Sequence, residues 1–282
     1  MSSSVMILGT ASGVGKTTVT AGLCRILAQD RHSVIPFKSQ NMTNTAHILP
    51  DGRQMARSQA IAAKACGREP HPDMNPILLK ILDGKMEVVL GGVSLGPMDS
   101  RKYAEYKKTI WGNILEPYRR LEEQADIVVI EGAGSPVELN LKAGDVVNMS
   151  VAQRVGAPVL LVADIDRGGV YASVYGTLQL FSPEERALVK GIIINKCKGR
   201  PEFFADVKTT MEKLTELPVL GLLPYLPLLL EDEDNLFDSG VGPKRAQAED
   251  ELEAELDRLA AALRTHLDMD EILRIIREGA SA

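Results

Sequence analysis

The sequence predicts an α/β protein with a doubly wound, mostly parallel sheet, and three observations lead there. First, six short apolar runs recur along the 282 residues: Val5 to Leu8, Val34 to Phe37, Ile127 to Ile130, Val159 to Val162, Gly191 to Ile194 and Val219 to Leu223. They are rich in Val, Ile and Leu without polar alternation, the pattern of strands covered on both faces. Second, helix-like stretches lie between them, at Thr17 to Gln29, Arg53 to Ala65, Tyr103 to Gln124 and Pro201 to Leu214. Strand and helix alternating on this scale imply parallel crossovers. Third, the Gly-rich or polar motifs directly follow strands, where a parallel sheet binds its ligands.

Taken in order, the first run leads into Gly9-Thr10-Ala11-Ser12-Gly13-Val14-Gly15-Lys16-Thr17-Thr18 and then a helix. The usual phosphate loop has four residues between its first glycine and Gly-Lys-Thr, which would place that glycine at Thr10; here it is one earlier, at Gly9. The chemistry survives the longer spacing. Backbone N–H groups of residues such as Ser12, Gly13, Val14 and Gly15 face anionic oxygens at the helix start. Lys16 adds charge at the outer phosphates, and the Thr17 hydroxyl suits magnesium. A ligand-free Gly-rich turn would not account for Lys16, Thr17 and Thr18 at that point.

The second run is followed by Lys38-Ser39-Gln40-Asn41, and a further polar stretch runs Asp73-Met74-Asn75-Pro76-Ile77-Leu78-Leu79-Lys80. The run at 127–130 ends in Glu131-Gly132-Ala133-Gly134, an acid at a strand end followed by glycines that admit a ligand closely. A buried salt-bridge acid is the competing reading of Glu131; the adjacent glycines favour metal coordination. The run at 159–162 leads into Asp164-Ile165-Asp166-Arg167-Gly168-Gly169, and the run at 191–194 into Asn195-Lys196. Together these stretches offer Lys38, Lys80 and Arg167 as cations, Gln40 and Asn41 as amides, and Asp164 and Asp166 as acids. Such a set suits an anionic substrate and a developing phosphoryl charge.

Beyond Leu226 the chain turns Pro-, Gly- and acid-rich, so 227–245 reads as a linker or surface loop. In 246–282, Leu252, Leu256, Leu259, Leu263 and Leu267 recur at helical spacing and predict an amphipathic helix. Packing of that stripe on the domain is the favoured reading, with a homodimer contact as the other. The bulk composition excludes several classes. With 32 basic against 38 acidic residues and a net charge of −6, there is no basic footprint for nucleic acid. No apolar run is long enough to span a bilayer, and Val5 to Leu8 stops at Gly9 without forming a signal segment. Three scattered cysteines fit a reducing, cytoplasmic setting.

The motifs PFKSQNM, DMNPILLK, IEGAGSPVELNL, NMSVA, PVLLVADIDRGGVYAS, VKGIIINK and PVLGLLPYL closely resemble the cobyric acid synthases, dethiobiotin-synthetase-like amidoligases of cobalamin biosynthesis. The resemblance runs in order from Val5 to Leu226 and shares the longer phosphate loop. It implies a P-loop, ATP- and Mg2+-dependent synthetase domain over 1–226 that converts corrinoid side-chain carboxylates to amides through acyl phosphates. In that reading Lys16, Lys38 and Glu131 are catalytic, and Thr17 and Glu131 hold the metal. Ser12 to Thr18 with Asn195 and Lys196 bind nucleotide, Asn195 and Lys196 facing the base, although Asn195 also suits a turn cap. Gln40, Asn41, Asp164 and Arg167 hold the corrinoid.

Two departures accompany the resemblance. Gln54 stands where relatives carry Glu, which removes an acid that could serve magnesium. No segment resembles the glutaminase domain of complete members, although Leu256 to Asp270 resembles the segment that follows it. The expectation is an internal loss near Asp234 to Ala246, with ammonia taken free or from a separate glutaminase partner. Competing readings are a dethiobiotin-synthetase-like ligase, disfavoured because Lys38 is followed by Ser39 rather than Pro, and a non-catalytic nucleotide- or corrinoid-binding homologue. A partitioning-type switch ATPase is disfavoured because Thr10-Ala11-Ser12 lacks its extra lysine.

Overall fold

Alternate residues of the central strands point to opposite faces, and both faces are buried. The computed structural model describes residues 2–82, 85–226 and 249–279; the expected linker at 227–245 and the expected junction at 234–246 lie outside the described residues. In chain order the elements begin with β1 (Ser3–Gly9), α1 (Lys16–Gln29), β2 (Val34–Phe37), β3 (Gln40–Thr43), β4 (His47–Ile48), β5 (Gln54–Met55) and α2 (Arg57–Ala65). Then follow β6 (Ile77–Leu82), β7 (Lys85–Leu90), β8 (Val93–Pro97), α3 (Ser100–Lys107), α4 (Trp111–Glu122), β9 (Ile127–Glu131) and α5 (Met149–Val155). The rest are β10 (Val159–Asp164), α6 (Val170–Leu180), α7 (Pro183–Leu188), β11 (Val189–Cys197), α8 (Val207–Thr215), β12 (Val219–Pro224), α9 (Glu249–His266) and α10 (Met269–Gly279).

The six apolar runs pair, all in parallel, into one six-stranded sheet of order β12-β11-β10-β1-β9-β2. Met6, Leu8, Ile35, Phe37, Val128 and Ile130 enter one core cluster, while Val5, Ile7, Val34, Ile127 and Val129 enter the other. That two-sided burial is why the runs carry no polar alternation. The second cluster is closed by α1, α9 and α10, where Leu256, Leu259, Leu263 and Ile272 are fully buried.

The leucine stripe is thus spent inside the chain. A Cβ on Gly22 would lie 2.4 Å from Leu263 Cδ2, so the missing side chain lets α9 approach α1 closely. Arg25 Nε to Asp257 Oδ1 and Arg264 Nη2 to Asp30 Oδ1, at 2.8 and 2.7 Å, border the contact. The expected single terminal helix is two: α9 stops at His266, the 267–268 link bonds across to β12, and Met269 starts α10.

Other boundaries also differ from the sequence reading. The helix expected from Arg53 begins at Arg57, because Gln54 and Met55 pair with His47 and Ile48. The expected helix 103–124 is broken at residues 108–110 into α3 and α4. The expected helix 201–214 begins as a short 3-10 turn before α8. The stretch 73–80 is not a loop. Its second half is β6, part of a four-stranded sheet of order β3-β6-β7-β8 that mixes parallel and antiparallel pairs. The chain leaves the central sheet at Lys38, whose N–H donates to Met74 O at 2.8 Å, and enters the second sheet at Gln40.

Candidate functional site

Strand order places the motifs before any side chain is considered. The phosphate loop follows β1 near the sheet centre; the loops after β9 and β2 lie on one flank, and those after β10 and β11 on the other. Interstrand spacing of ~4.8 Å separates the β10 and β2 ends by roughly 14 Å.

At the loop itself, Gly15 takes φ +99° as the residue before α1, a left-handed conformation that favours glycine. A Cβ there would also lie 2.1 Å from Asn195 Nδ2. Lys16 is 2% exposed and donates from Nζ to Ala11 O and Gly134 O, both at 3.2 Å, so it bridges the phosphate loop and the loop after β9. Ser12 is exposed, Gly13 and Val14 are buried, and Thr17 and Thr18 are partly exposed on the first turn of α1.

Glu131 is the hub of the phosphate-side flank. Its Oε1 accepts from Thr17 Oγ1 and from Lys38 Nζ, each at 2.8 Å, and its Oε2 accepts from Gln59 Nε2 at 3.3 Å. Lys38 and Glu131 are both fully buried, as neighbouring strands β2 and β9 dictate. The structure shows the salt-bridge reading of Glu131 directly: it is a buried ion-paired acid, and it also accepts from the phosphate-loop threonine. Thr17 and Glu131 supply hard oxygen donors, which fit Mg2+. Among the described residues there is no cluster of three or more His, Cys, Asp or Glu side chains able to hold a metal. A cation here would depend on these oxygens together with nucleotide phosphates.

Beside this hub opens a cleft of about 310 Å³ lined by Ser12, Gln40, Asn41, Lys107, Gly134, Leu141 and Asn148, among others. Buried contacts fix its walls. Asn75 Nδ2 donates to Lys38 O and Ile77 O at 2.9 and 3.1 Å while its Oδ1 accepts from Ala56 N, which locks the backbone around Lys38. Ser39 Oγ donates to Val146 O at 2.6 Å. Asn148 accepts from Ala133 N and donates to Ala133 O, which shapes the loop after β9. A Cβ on Gly132 would collide with Asn148 Oδ1 at 2.4 Å. Tyr103 donates its hydroxyl to Gln40 Oε1, and burial pushes its phenol pKa up, which keeps it protonated as a donor. Burial pulls the Lys107 ammonium down, opposed by Asp145.

Asp164, Arg167, Asn195 and Lys196 gather on the opposite flank. Asp164 and Asn195 are register partners. Asp164 Oδ2 lies 3.1 Å from Lys196 Nζ and 3.5 Å from Arg167 Nε. Lys196 has φ +61° and also donates to Gly13 O, while Asn195 donates to Val14 O at 2.8 Å and accepts from Lys196 N. The structure thus groups Gln40 and Asn41 in the cleft with Ser12, whereas Asp164 and Arg167, expected beside them, sit with Asn195 and Lys196. Lys80 is turned away: its Nζ is held by Glu87 at 2.9 Å and by Gln54 Oε1 at 3.0 Å. Gln54 is therefore spent on Lys80, not on Thr17 or Glu131. The sequence reading missed Gln59, Tyr103, Asn75 as a backbone lock, and Lys107. Only Asn75 had a signal, as the polar residue before Pro76.

Sheet order, the strand–loop–helix at residues 9–17 and the Lys-Thr-Glu cluster define a P-loop nucleotide-binding protein. The chain belongs to the family described as the CobQ/CobB/MinD/ParA nucleotide binding domain (CbiA), which matches residues 5–236. It is 48% identical over 258 residues to the cobyric acid synthase of Yersinia enterocolitica, covering 91% of this chain and 49% of that protein. To that of Citrobacter koseri it is 50% identical over 237 residues, covering 84% and 47%. To that of Dehalococcoides mccartyi it is 42% identical over 287 residues, covering 100% and 55%. The chain thus spans about half the length of these relatives. No described helix is long and apolar enough to cross a membrane.

Proposed function

We propose that this chain is an ATP- and Mg2+-dependent amide synthetase that converts side-chain carboxylates of a corrinoid, such as cobyrinic acid a,c-diamide, to amides. The observation that carries this reading is the shared wall: Ser12 of the phosphate loop and Gly134 beyond Glu131 line the same cleft as Gln40 and Asn41. A substrate carboxylate held by those amides lies next to the place where the terminal phosphate of ATP is bound. The similarity to cobyric acid synthases supports the corrinoid as the owner of that carboxylate.

A carboxylate is a poor acyl donor because oxide is a poor leaving group. In the proposed reaction a carboxylate oxygen attacks the γ-phosphorus and ADP departs, leaving an acyl phosphate. Ammonia then adds to the acyl carbon, the C–O bond to phosphate breaks, and the nitrogen loses a proton to give the amide. Thr17 and Glu131 would hold magnesium, which supplies positive charge against the phosphate oxygens. Lys16 and the N–H groups at the start of α1 neutralise the nucleotide phosphates, so Lys16 exchanges its two carbonyl partners for them. Lys38 holds Glu131 in place and adds positive charge on the cleft side. Asn195 and Lys196 would hold the loop and face the base.

Ammonia is the nitrogen source in this reading, free or delivered by a glutaminase partner. None of the three cysteines is placed as a glutaminase nucleophile: Cys24 and Cys66 are buried, and burial pushes the Cys197 thiol up to about 11. Incubating the chain with Mg-ATP, an ammonium salt and cobyrinic acid a,c-diamide tests the proposal. Phosphate release that requires the corrinoid, with stepwise exchange of OH for NH2 in its mass, supports it. ATP binding with an unchanged corrinoid mass rejects it.

A further inference from the structure

The Gln59 side chain is fully buried on α2, with its Nε2 at 3.3 Å from Glu131 Oε2. We infer that Gln59 is a positioning residue of the metal–nucleotide site, fixing the plane of the Glu131 carboxylate and leaving one of its acceptor directions for the hydrated cation.

Acceptor counting leads to this. A carboxylate offers about four lone-pair directions, two per oxygen. Thr17 and Lys38 both donate to Oε1 and take its pair. Gln59 takes one direction on Oε2. What remains is one acceptor direction on Oε2, in the same carboxylate whose Oε1 meets the Thr17 hydroxyl. Without Gln59 the carboxylate would still be tethered at Oε1 but free to swing about that tether, and the remaining direction would lose its aim.

The second observation is at the other end of the same amide. Gln59 Oε1 is buried and has no hydrogen-bond partner. A buried amide oxygen without a donor is costly, of the order of 1–3 kcal/mol, so such groups mark a partner supplied from elsewhere. The orientation of the amide is not arbitrary, because a carboxylate only accepts and must meet the NH2 side. Oε1 shares its carbon with the Nε2 that touches Glu131, so the missing donor belongs in the neighbourhood of the carboxylate. Water in the shell of a hydrated divalent cation provides such donors, and Mg2+ usually keeps several of its waters. Outer partners of this kind orient the ligands that touch the metal.

The inference rests on the metal–nucleotide part of the proposed function and not on the corrinoid. It is tested on Gln59→Met, which keeps the volume but neither donates nor accepts as an amide does, and on Gln59→Asn, which keeps the amide but shortens its reach. ATP affinity is measured by calorimetry with Mg2+ and with EDTA, and Mn2+ binding to the ATP complex by electron paramagnetic resonance. Thermal melts report folding. The expected result is a ~10-fold or greater loss of metal affinity in the ATP complex, with metal-free ATP affinity within about twofold of the parent and the lost turnover restored by raised Mg2+. Metal affinity equal to the parent in a folded variant overturns the inference, as does a parallel loss of metal-free and metal-bound ATP affinity. If the parent chain shows no metal-dependent ATP affinity, the metal–nucleotide reading itself fails, and this inference with it.

Discussion

Lys38 Nζ and Glu131 Oε1 meet at 2.8 Å with both side chains at 1% exposure or less, so the residue after β2 and the last residue of β9 form a buried ion pair at the carboxyl ends of adjacent strands. Removing one partner leaves the other charge buried. Lys38→Met is expected to cost about 3–5 kcal/mol of stability, and Glu131→Leu a similar amount. The double variant should cost clearly less than the sum. Urea midpoints of the two single variants and the double one decide it; additive losses would show that the pair is not coupled.

Lys16 is the cation that the nucleotide claim depends on most. Saturating a site at a hundred times its dissociation constant stabilises a fold by about 2.7 kcal/mol. The parent chain should therefore melt several degrees higher with excess Mg-ATP. Lys16→Ala should lose most of that increment. An equal shift in both would place the nucleotide elsewhere.

Gly15 combines φ +99° with a Cβ position 2.1 Å from Asn195 Nδ2. Gly15→Ala must displace either α1 or the Asn195 amide. ATP affinity is expected to fall at least 10-fold, a loss of about 1.4 kcal/mol or more. In an Asn195→Ala background, which lacks the clashing amide, Gly15→Ala should cost less affinity than in the parent. An equal cost of Gly15→Ala in the two backgrounds would mean that φ strain alone dominates.

Acid should loosen α9 from α1. The Asp257 carboxyl is held below its ordinary 3.8 by hydrogen bonding to Arg25, against the opposing effect of burial. A depressed folded pKa gives stability that is present above the unfolded value and lost as pH falls through the folded value. Asp257→Asn should destabilise the chain at pH 7, and the gap from the parent should close below about pH 4. Denaturation midpoints across that range check it. A gap that widens on acidification would reverse the sign and reject the account.

The central sheet was legible because burial on both faces leaves no ambiguity in a run such as Val159 to Val162. The phosphate loop and Glu131 were legible because their chemistry is local to a strand end. The second sheet was not. Ile77 to Lys80 looked like part of a polar loop because Asp73 and Asn75 precede it, and its partners β7 and β8 are strands whose exposed residues carry little pattern. Gln59 was illegible for another reason. Nothing within α2 announces that a glutamine there reaches Glu131, 72 positions away in sequence. Only the packing of α2 against the sheet makes that contact. The separation of Asp164 and Arg167 from Gln40 follows from strand order, which the motifs alone do not encode.

The most direct measurement follows oxygen. A corrinoid labelled with 18O in its side-chain carboxylates is incubated with the chain, Mg-ATP and an ammonium salt, and the released phosphate and the corrinoid are weighed together. An acyl phosphate carries one carboxylate oxygen into phosphate for each amide formed, so the account predicts equal yields of singly labelled phosphate and new amide. Unlabelled phosphate alongside new amide would contradict the acyl phosphate, and phosphate release without any amide would contradict the synthetase.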